Sequence, residues 1–276
     1  MNTLWIAAFG DPGIFRPAVQ EYWQRWLRPM ARPDAKAVLD RLLPAQVYVP
    51  RRSTDELSRI ARVMNESDIP VAFNSFHPRS GMSYLHINNA AKEFLGVEYG
   101  RIGQENKYLP IDLESVRGAL WLYFYGFDHA DNPQGLVDGA YNRQFIISEL
   151  HMCDRIYVAR PQNTRWVGKL PENYFEIQDF ITEVWFNNAY AAEVARIEHI
   201  NKLVLEGALQ PPRHRHVELI PVQVCHHYGY FDYFIEQRGV YDSAYQIASQ
   251  TLSEREFNIT SIEAMPETAK LNPATP

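Results

Sequence analysis

The feature that most limits the fold is the alternation of short, strand-like apolar runs with longer segments of helical period. Residues 69–76 (IPVAFNSF) and 155–159 (RIYVA) have the character of buried strands, and residues 171–207 form one long helical stretch. Strands separated by helices are typical of the α/β class, in which helices cover both faces of a sheet. The sequence therefore predicts an α/β fold.

A hairpin is predicted within this pattern. Residues 83–87 follow the first strand-like run closely, and Pro78 and Gly81 between them are turn residues. In the long helical stretch the apolar stripe drifts past Asn187 and Asn188, which predicts a bend or a break there.

Composition limits the classes of function. The chain has 276 residues, 46% of them hydrophobic, and a net charge of -6. This charge argues against a nucleic-acid partner, which needs a basic stripe, and against purely electrostatic docking on an anionic membrane. We expect a single α/β domain over residues 1–265 and a polar tail over residues 266–276. The oligomeric state is not readable from the sequence.

Cysteine usage bears on the compartment. Cys153 and Cys225 are the only cysteines, so no disulfide framework is indicated and a reducing compartment is the simpler interpretation. The apolar run near the start, from Leu4 to Phe9, is too short for a membrane span or a signal peptide. A cytoplasmic protein is therefore expected.

The segment LVDGAYN, residues 136–142, contains the strongest candidate for chemistry. Taken alone it is a strand end followed by a tight Asp-Gly turn, and most such turns have no catalytic role. It resembles, however, the D-G-G/A-Y motif of patatin-like phospholipases, and other segments agree in order along the chain. PVAFNSFHPRSG is similar to the family's strand and turn of the form ATNVRTG, and CDRIYVARPQN is similar to the strand after the motif. Further matches are the long helical stretch, beginning FEIQDFITEVWFNN, and the closing segment RGVYDSAYQIASQTL.

The resemblance extends over about residues 40–255 and implies a patatin-like three-layer fold with a mostly parallel sheet. It implies a lipid acyl hydrolase, that is, a carboxylic ester hydrolase with a Ser-Asp dyad and no cofactor. Asp138 would be the catalytic base that contacts the serine directly, and Gly139 and Ala140 would form the active-site turn. We expect Asp138 at the C-terminal end of a central strand, beside an apolar cleft for an acyl lipid or small ester. Candidates for its lining are Phe124, Tyr125 and Tyr141.

The chain departs from the family in the nucleophile. No serine has a glycine two residues before it and two after it, as the G-x-S-x-G elbow requires, and the glycine-rich oxyanion loop is missing. Ser80, in PRSGM, is the nearest imitation, but it lies in the predicted hairpin turn. Gln144-Phe145 stands where the family usually has Asn-Pro, and Trp121 stands where it often has proline.

Two explanations fit these departures. The missing parts form one N-terminal block, which favours a chain that lacks the first strand, the oxyanion loop and the elbow. The alternative is a non-catalytic homologue that binds lipid or protein. Under either explanation the sequence predicts that the chain as given does not hydrolyse esters.

Two further features have competing interpretations. His214, His216, His226 and His227 lie near Cys225 and could hold zinc if His214 and His216, two residues apart, share one face of a strand. Residues 215–224 are strand-like. Because no carboxylate or second cysteine completes the set, no metal is predicted. The helix that contains Trp23 and Trp26 could lie at a lipid-water boundary. The favoured interpretation is an amphipathic helix that covers the core or a dimer contact.

Overall fold

A computed structural model describes the residues 15–29, 34–42, 46–50, 53–102, 106–121, 124–125, 134–160, 165–210, 214–223 and 237–253. Within these residues seven helices and nine strands follow one another in mixed order. The helices are α1 (Val19–Leu27), α2 (Ala35–Leu42), α3 (Thr54–Glu66), α4 (Asn89–Leu95), α5 (Leu113–Ala119), α6 (Tyr174–Leu205) and α7 (Gln237–Ser253). The strands are β1 (Phe15–Pro17), β2 (Gln46–Pro50), β3 (Ala72–His77), β4 (Met82–Ile87), β5 (Lys107–Pro110), β6 (Phe124–Tyr125), β7 (Val137–Asp138), β8 (Arg155–Arg160) and β9 (Glu218–Gln223).

The described strands form three sheets, in the orders β1-β2-β6, β5-β4-β3-β7 and β8-β9. The pairs β2/β6, β4/β5 and β8/β9 are parallel, whereas β1/β2, β3/β4 and β3/β7 are antiparallel. Helices therefore combine with mixed sheets, and the predicted α/β class is confirmed in this general form.

The chain divides into two compact units, one containing the described residues from 15 to 142 and the other those from 143 to 253. The predicted single domain over residues 1–265 stays a prediction, and the polar tail 266–276 lies outside the described residues.

In the first unit, local sequence signals account for the helix starts. Ser53 and Glu56 form a reciprocal capping box that begins α3, and Asp112 with Ser115 does the same for α5. The apolar face of α3 is fully buried, and α3 packs against α5. The buried side chains of these two helices are Leu57, Ile60, Ala61, Met64, Val116 and Ala119.

The predicted hairpin is present as β3 and β4, in the register His77↔Met82 through Ala72↔Ile87. Gly81 closes its turn with a φ of 68°, a left-handed conformation that glycine adopts without steric cost. The hairpin prediction is therefore confirmed.

The second unit is built around α6, β8 and β9. Its core contains Ile147, Ile156, Val158, Ile197 and Val217. The 32-residue helix α6 is continuous, so a break at Asn187-Asn188 is excluded, whereas the alternative of a bend there stays a prediction. The helix is about 48 Å long at 1.5 Å per residue. Where its apolar stripe drifts, Tyr190 and Ile197 contact the core of the unit.

A buried ion pair lies beside this core. The Arg143 guanidinium donates to both carboxylate oxygens of Glu149, at 2.5 and 2.8 Å, and Glu193 lies 3.5 Å from its Nε. Phe145 packs edge-on against Tyr190, with ring centroids 5.1 Å apart. Phe145 thus packs an aromatic side chain against the core of the second unit.

Candidate functional site

Asp138 is the last residue of β7, as the strand-end prediction required. Among the described strands, however, β7 lies at the edge of its sheet, paired with β3, so the prediction of a central strand is wrong. The Asp138 amide donates to the carbonyl oxygen of Trp121 at 2.9 Å. Trp121 is buried, and its backbone therefore holds the end of β7 in place.

The Asp138 carboxyl is half-buried, and its Oδ1 accepts a hydrogen bond from the Ala140 amide at 2.7 Å. That contact is one an ordinary turn aspartate makes. The surroundings are less ordinary, because burial raises the pKa of Asp138 from 3.8 to about 6, against the opposing effect of the Ala140 amide. A carboxyl with a pKa near neutrality can both accept and donate a proton under physiological conditions.

Gly139 has no room for a side chain. A Cβ at this position would lie 2.2 Å from the Cγ of Asn74, so the backbone after Asp138 runs directly against β3. Gly139 begins a 3-10 turn over Gly139–Tyr141, and its carbonyl accepts from the Asn142 amide at 3.0 Å. Glycine here is therefore a requirement of packing, and it sets the direction of the turn that follows the carboxylate.

A serine and a histidine lie on the strands beside Asp138. Ser75 on β3 and His86 on β4 are both buried, with 0% and 2% of their surface exposed. The Ser75 Oγ and the His86 Nε2 are 2.8 Å apart. This is the distance and pairing that a nucleophile and its general base require.

The surroundings of His86 determine its protonation. Its Nδ1 lies 3.4 Å from the carbonyl oxygen of Pro110, which can only accept, so Nδ1 carries the proton and Nε2 accepts from the Ser75 hydroxyl. The ring stacks on Phe73 with centroids 5.3 Å apart. Burial lowers the pKa of His86 to about 4, so the ring is neutral at pH 7.

Asp138 and Ser75 lie directly opposite each other in the β3/β7 ladder. Because the Asp138 amide points away from β3, towards Trp121, the two residues form a non-hydrogen-bonded pair. Such pairs have Cα atoms about 4.5 Å apart and side chains on the same sheet face. The sheet therefore brings Asp138, Ser75 and His86 together on one face.

Ser80 also contacts a histidine, in the exposed hairpin turn. Its Oγ lies 2.7 Å from the His77 Nδ1, but its own amide approaches the same nitrogen at 3.2 Å. The Ser80 Oγ further accepts from the Met82 amide at 3.3 Å. These bonds are those of a turn, as the sequence indicated for Ser80.

The predicted cleft lining is only partly described. Tyr141 is half-buried in the turn after Asp138. Phe124 and Tyr125 form β6, which pairs with β2 in a different sheet from Asp138, and their side chains lie outside the described residues. A lining role for these three residues stays a prediction.

The histidine-rich segment is not a strand where the zinc interpretation needs one. His214 and His216 precede β9, which begins at Glu218, so the argument from a shared strand face is wrong. Cys225, His226 and His227 lie outside the described residues. Within the residues that the structure describes, no group of three or more potential metal ligands occurs.

The helix α1 presents its apolar stripe outwards. Val19, Trp23 and Leu27, one turn apart, are 59%, 61% and 82% exposed, whereas Trp26 is half-buried. Arg25 and Arg28 flank the stripe, and Arg41 of α2 donates to the Trp26 carbonyl at 3.1 Å. Of the two favoured interpretations, covering the core with this face does not fit the exposure within the described chain, and a dimer contact stays a prediction.

Sequence reasoning missed Ser75 and His86, although a signal was present. The hairpin turn alone sets the register in which Ser75 faces Tyr84, and His86 is then its diagonal neighbour on the same face. The register, counted outwards from the turn, predicts that Ser75 and His86 are neighbours on one face of the hairpin.

Comparison of the chain with protein-family models, with curated proteins and with solved structures finds no match. The fold and site thus define a mixed α/β protein with a buried serine-histidine pair opposite a carboxyl of raised pKa. In the described part of the chain, no helix has the length and apolar character needed to cross a membrane.

Proposed function

We propose that this chain is a carboxylic ester hydrolase of the patatin-like type, acting on acyl lipids or small esters, with Asp138 as its acid-base residue. One observation carries the proposal. Asp138 ends a strand in a half-buried position that raises the pKa of its carboxyl to about 6. A group with that pKa exchanges protons near neutral pH, as ester cleavage requires.

The turn after Asp138 supports the same function. Because Gly139 packs against the Asn74 side chain, Ala140 lies where its amide can hold one carboxylate oxygen. The second oxygen carries the chemistry in this proposal. The Ser-Asp dyad that the resemblance implies needs a carboxylate oriented in this way.

The finer fold belongs to the proposal as well. A patatin-like three-layer arrangement with a mostly parallel sheet would contain the mixed sheet β5-β4-β3-β7 as one part. The order of strand, turn and long helix along the chain supports this arrangement.

We extend the proposal to a partner, namely an anionic lipid surface contacted by α1. Trp23 and Leu27 are exposed on one face of the helix, and Arg25 and Arg28 lie beside them. Aromatic and aliphatic side chains enter the boundary between headgroups and acyl chains, while arginines bind the phosphates. An acyl hydrolase needs such contact to reach lipid substrates.

Ester turnover tests the function. The full-length protein should hydrolyse short-chain p-nitrophenyl esters, and Asp138→Asn should lower kcat/KM by about 100-fold or more, since the amide cannot exchange the proton. Asp68→Asn, which changes an exposed aspartate, is the matched control and should leave kcat/KM unchanged.

The opposite result favours the alternative, a non-catalytic homologue that binds lipid or protein. Wild-type protein without turnover, or an Asp138→Asn variant as active as wild type, would sink the hydrolase proposal. The sequence-based prediction of an inactive chain rests on the missing elbow, and the same assay decides it.

A further inference from the structure

We infer that Ser75 is the nucleophile of this site and that His86 is its general base. The inference rests on the proposed ester hydrolysis and supplies the residue that the missing elbow would otherwise provide. Its starting point is the 2.8 Å contact between the Ser75 Oγ and the His86 Nε2.

The tautomer of His86 suits this role. The Pro110 carbonyl accepts from Nδ1, which leaves the Nε2 lone pair directed at the Ser75 hydroxyl. In catalytic triads a carboxylate holds the histidine in the same tautomer. Here a backbone carbonyl and the stacked Phe73 ring hold the imidazole.

Asp138 completes the arrangement from the other side of Ser75. The two residues form a non-hydrogen-bonded pair, in which side chains approach most closely. Ser75 therefore has the His86 imidazole within hydrogen-bond distance, and its ladder partner Asp138 lies on the same face of the sheet.

Access to Ser75 requires β7 to part from β3. Ser75 is fully buried, but β7 contributes only two residues to the ladder and lies at the edge among the described strands. Asp138 is half-buried at this edge. Short edge elements with few paired residues open at low free-energy cost, so an ester reaches Ser75 from the Asp138 side.

The proton transfers balance over one cycle. The Ser75 Oγ bonds the ester carbonyl carbon while its proton passes to the His86 Nε2. The bond to the alkoxy oxygen then breaks, and that oxygen leaves with the proton of Asp138. In the second half, water gives a proton to the Asp138 carboxylate and its hydroxide attacks the acyl group. The Ser75 oxygen leaves with the proton from His86, which releases the acid and restores both groups.

A fluorophosphonate probe tests the assignment, because an activated serine displaces fluoride and keeps the phosphonyl group. The full-length protein is labelled and digested with trypsin. Cleavage after Arg79 separates the peptide 63–79, which contains Ser67 and Ser75, from the peptide with Ser80 and Ser83, and fragmentation of the labelled peptide distinguishes Ser75 from Ser67. We expect the adduct on Ser75.

Variants assign the roles. Ser75→Ala should abolish labelling, while Ser80→Ala and Ser83→Ala should label at the wild-type rate. His86→Gln should slow labelling by about 100-fold, as expected for loss of a general base. Circular dichroism confirms that each variant is folded.

Adduct on Ser80, or on no serine, overturns the inference, and so does wild-type labelling of His86→Gln. Failure of this inference can be distinguished from failure of the proposed function. If Ser75 is unlabelled but Asp138→Asn abolishes ester turnover, the hydrolase proposal stands and another nucleophile is used. Labelling of Ser75 without ester turnover would assign the serine and reject the substrate class.

Discussion

At the scale of single residues, Asn88 organises the first unit more than any catalytic candidate does. Its buried side-chain oxygen accepts from the amides of Val71 and Ala91, and its Nδ2, with two hydrogens, lies within hydrogen-bond distance of three carbonyls. Those carbonyls belong to Met64, Ser67 and Ile69. One side chain therefore joins the end of α3, the start of β3 and the N-terminus of α4.

Asn88→Ala should lower the free energy of unfolding by about 3 kcal/mol or more, because several buried polar groups lose their partner together. Urea denaturation measures the change. Asn89→Ala is the matched control, since Asn89 is exposed and accepts one bond from the Tyr99 hydroxyl. Its effect should stay within about 0.5 kcal/mol. Equal effects of the two variants would contradict this account.

At the scale of elements, α1 is a short helix whose apolar stripe meets water. The Arg16–Glu21 ion pair and the bond from Arg41 to Trp26 attach its two ends to the neighbouring chain. The stripe itself is left free to contact a surface.

Vesicle sedimentation tests the lipid contact of α1. The protein should bind vesicles that contain phosphatidylserine more tightly than neutral phosphatidylcholine vesicles, because Arg25 and Arg28 face the headgroups. Leu27→Asp should weaken this binding about 30-fold, because a leucine side chain that enters the acyl region contributes about 2 kcal/mol. Leu205→Asp is the control, since Leu205 is similarly exposed, at 76% against 82% for Leu27. Equal binding by the two variants would exclude α1 as the contact.

At the scale of the whole molecule, His86 and Asp138 give the stability opposite dependences on pH. The pKa of His86 is 6.5 in the unfolded chain and about 4 in the folded protein, so stability is lost as the pH falls from 6.5 to 4. The pKa of Asp138 is 3.8 in the unfolded chain and about 6 in the folded protein, so stability is lost as the pH rises from 4 to 6. Their effects offset each other between about pH 4 and 6.

Removing one group should expose the effect of the other. Asp138→Asn should become more stable as the pH rises from 4 to 6.5, by up to about 3 kcal/mol at 1.4 kcal/mol per pKa unit. His86→Gln should become less stable from pH 4 to 6, by a somewhat smaller amount because the pKa of Asp138 shifts slightly less than that of His86. Urea denaturation at several pH values in this range, with the wild type measured alongside, gives the dependence of the free energy of unfolding on pH for each variant. Slopes that match wild type in both variants would show that neither group titrates as described.

Local signals in the sequence were sufficient for several elements. The turn residues Pro78 and Gly81 predicted the hairpin, because turn geometry depends on neighbouring residues only. The capping box of Ser53 and Glu56 at the start of α3 is a local signal of the same kind. The Asp-Gly pair at residues 138–139 likewise predicted a strand end followed by a tight turn.

Other features were decided by tertiary structure alone. β7 pairs with β3 although more than 50 residues separate them, and this pairing uses backbone groups that every residue carries. No sequence pattern therefore indicated that Asp138 would face Ser75, or that β7 would lie at a sheet edge.

The same limit explains the long helix and the histidines. The drifting stripe of α6 predicted a bend or a break, but the helix is continuous through Asn187 and Asn188. The strand after His216 begins only where β8 offers a partner. The sequence by itself determined the α/β class, the hairpin and the turn at Asp138, because these depend on spacing and local conformation. The placement of Asp138 opposite Ser75, and the burial that shifts the pKa values of His86 and Asp138, required the chain to be folded.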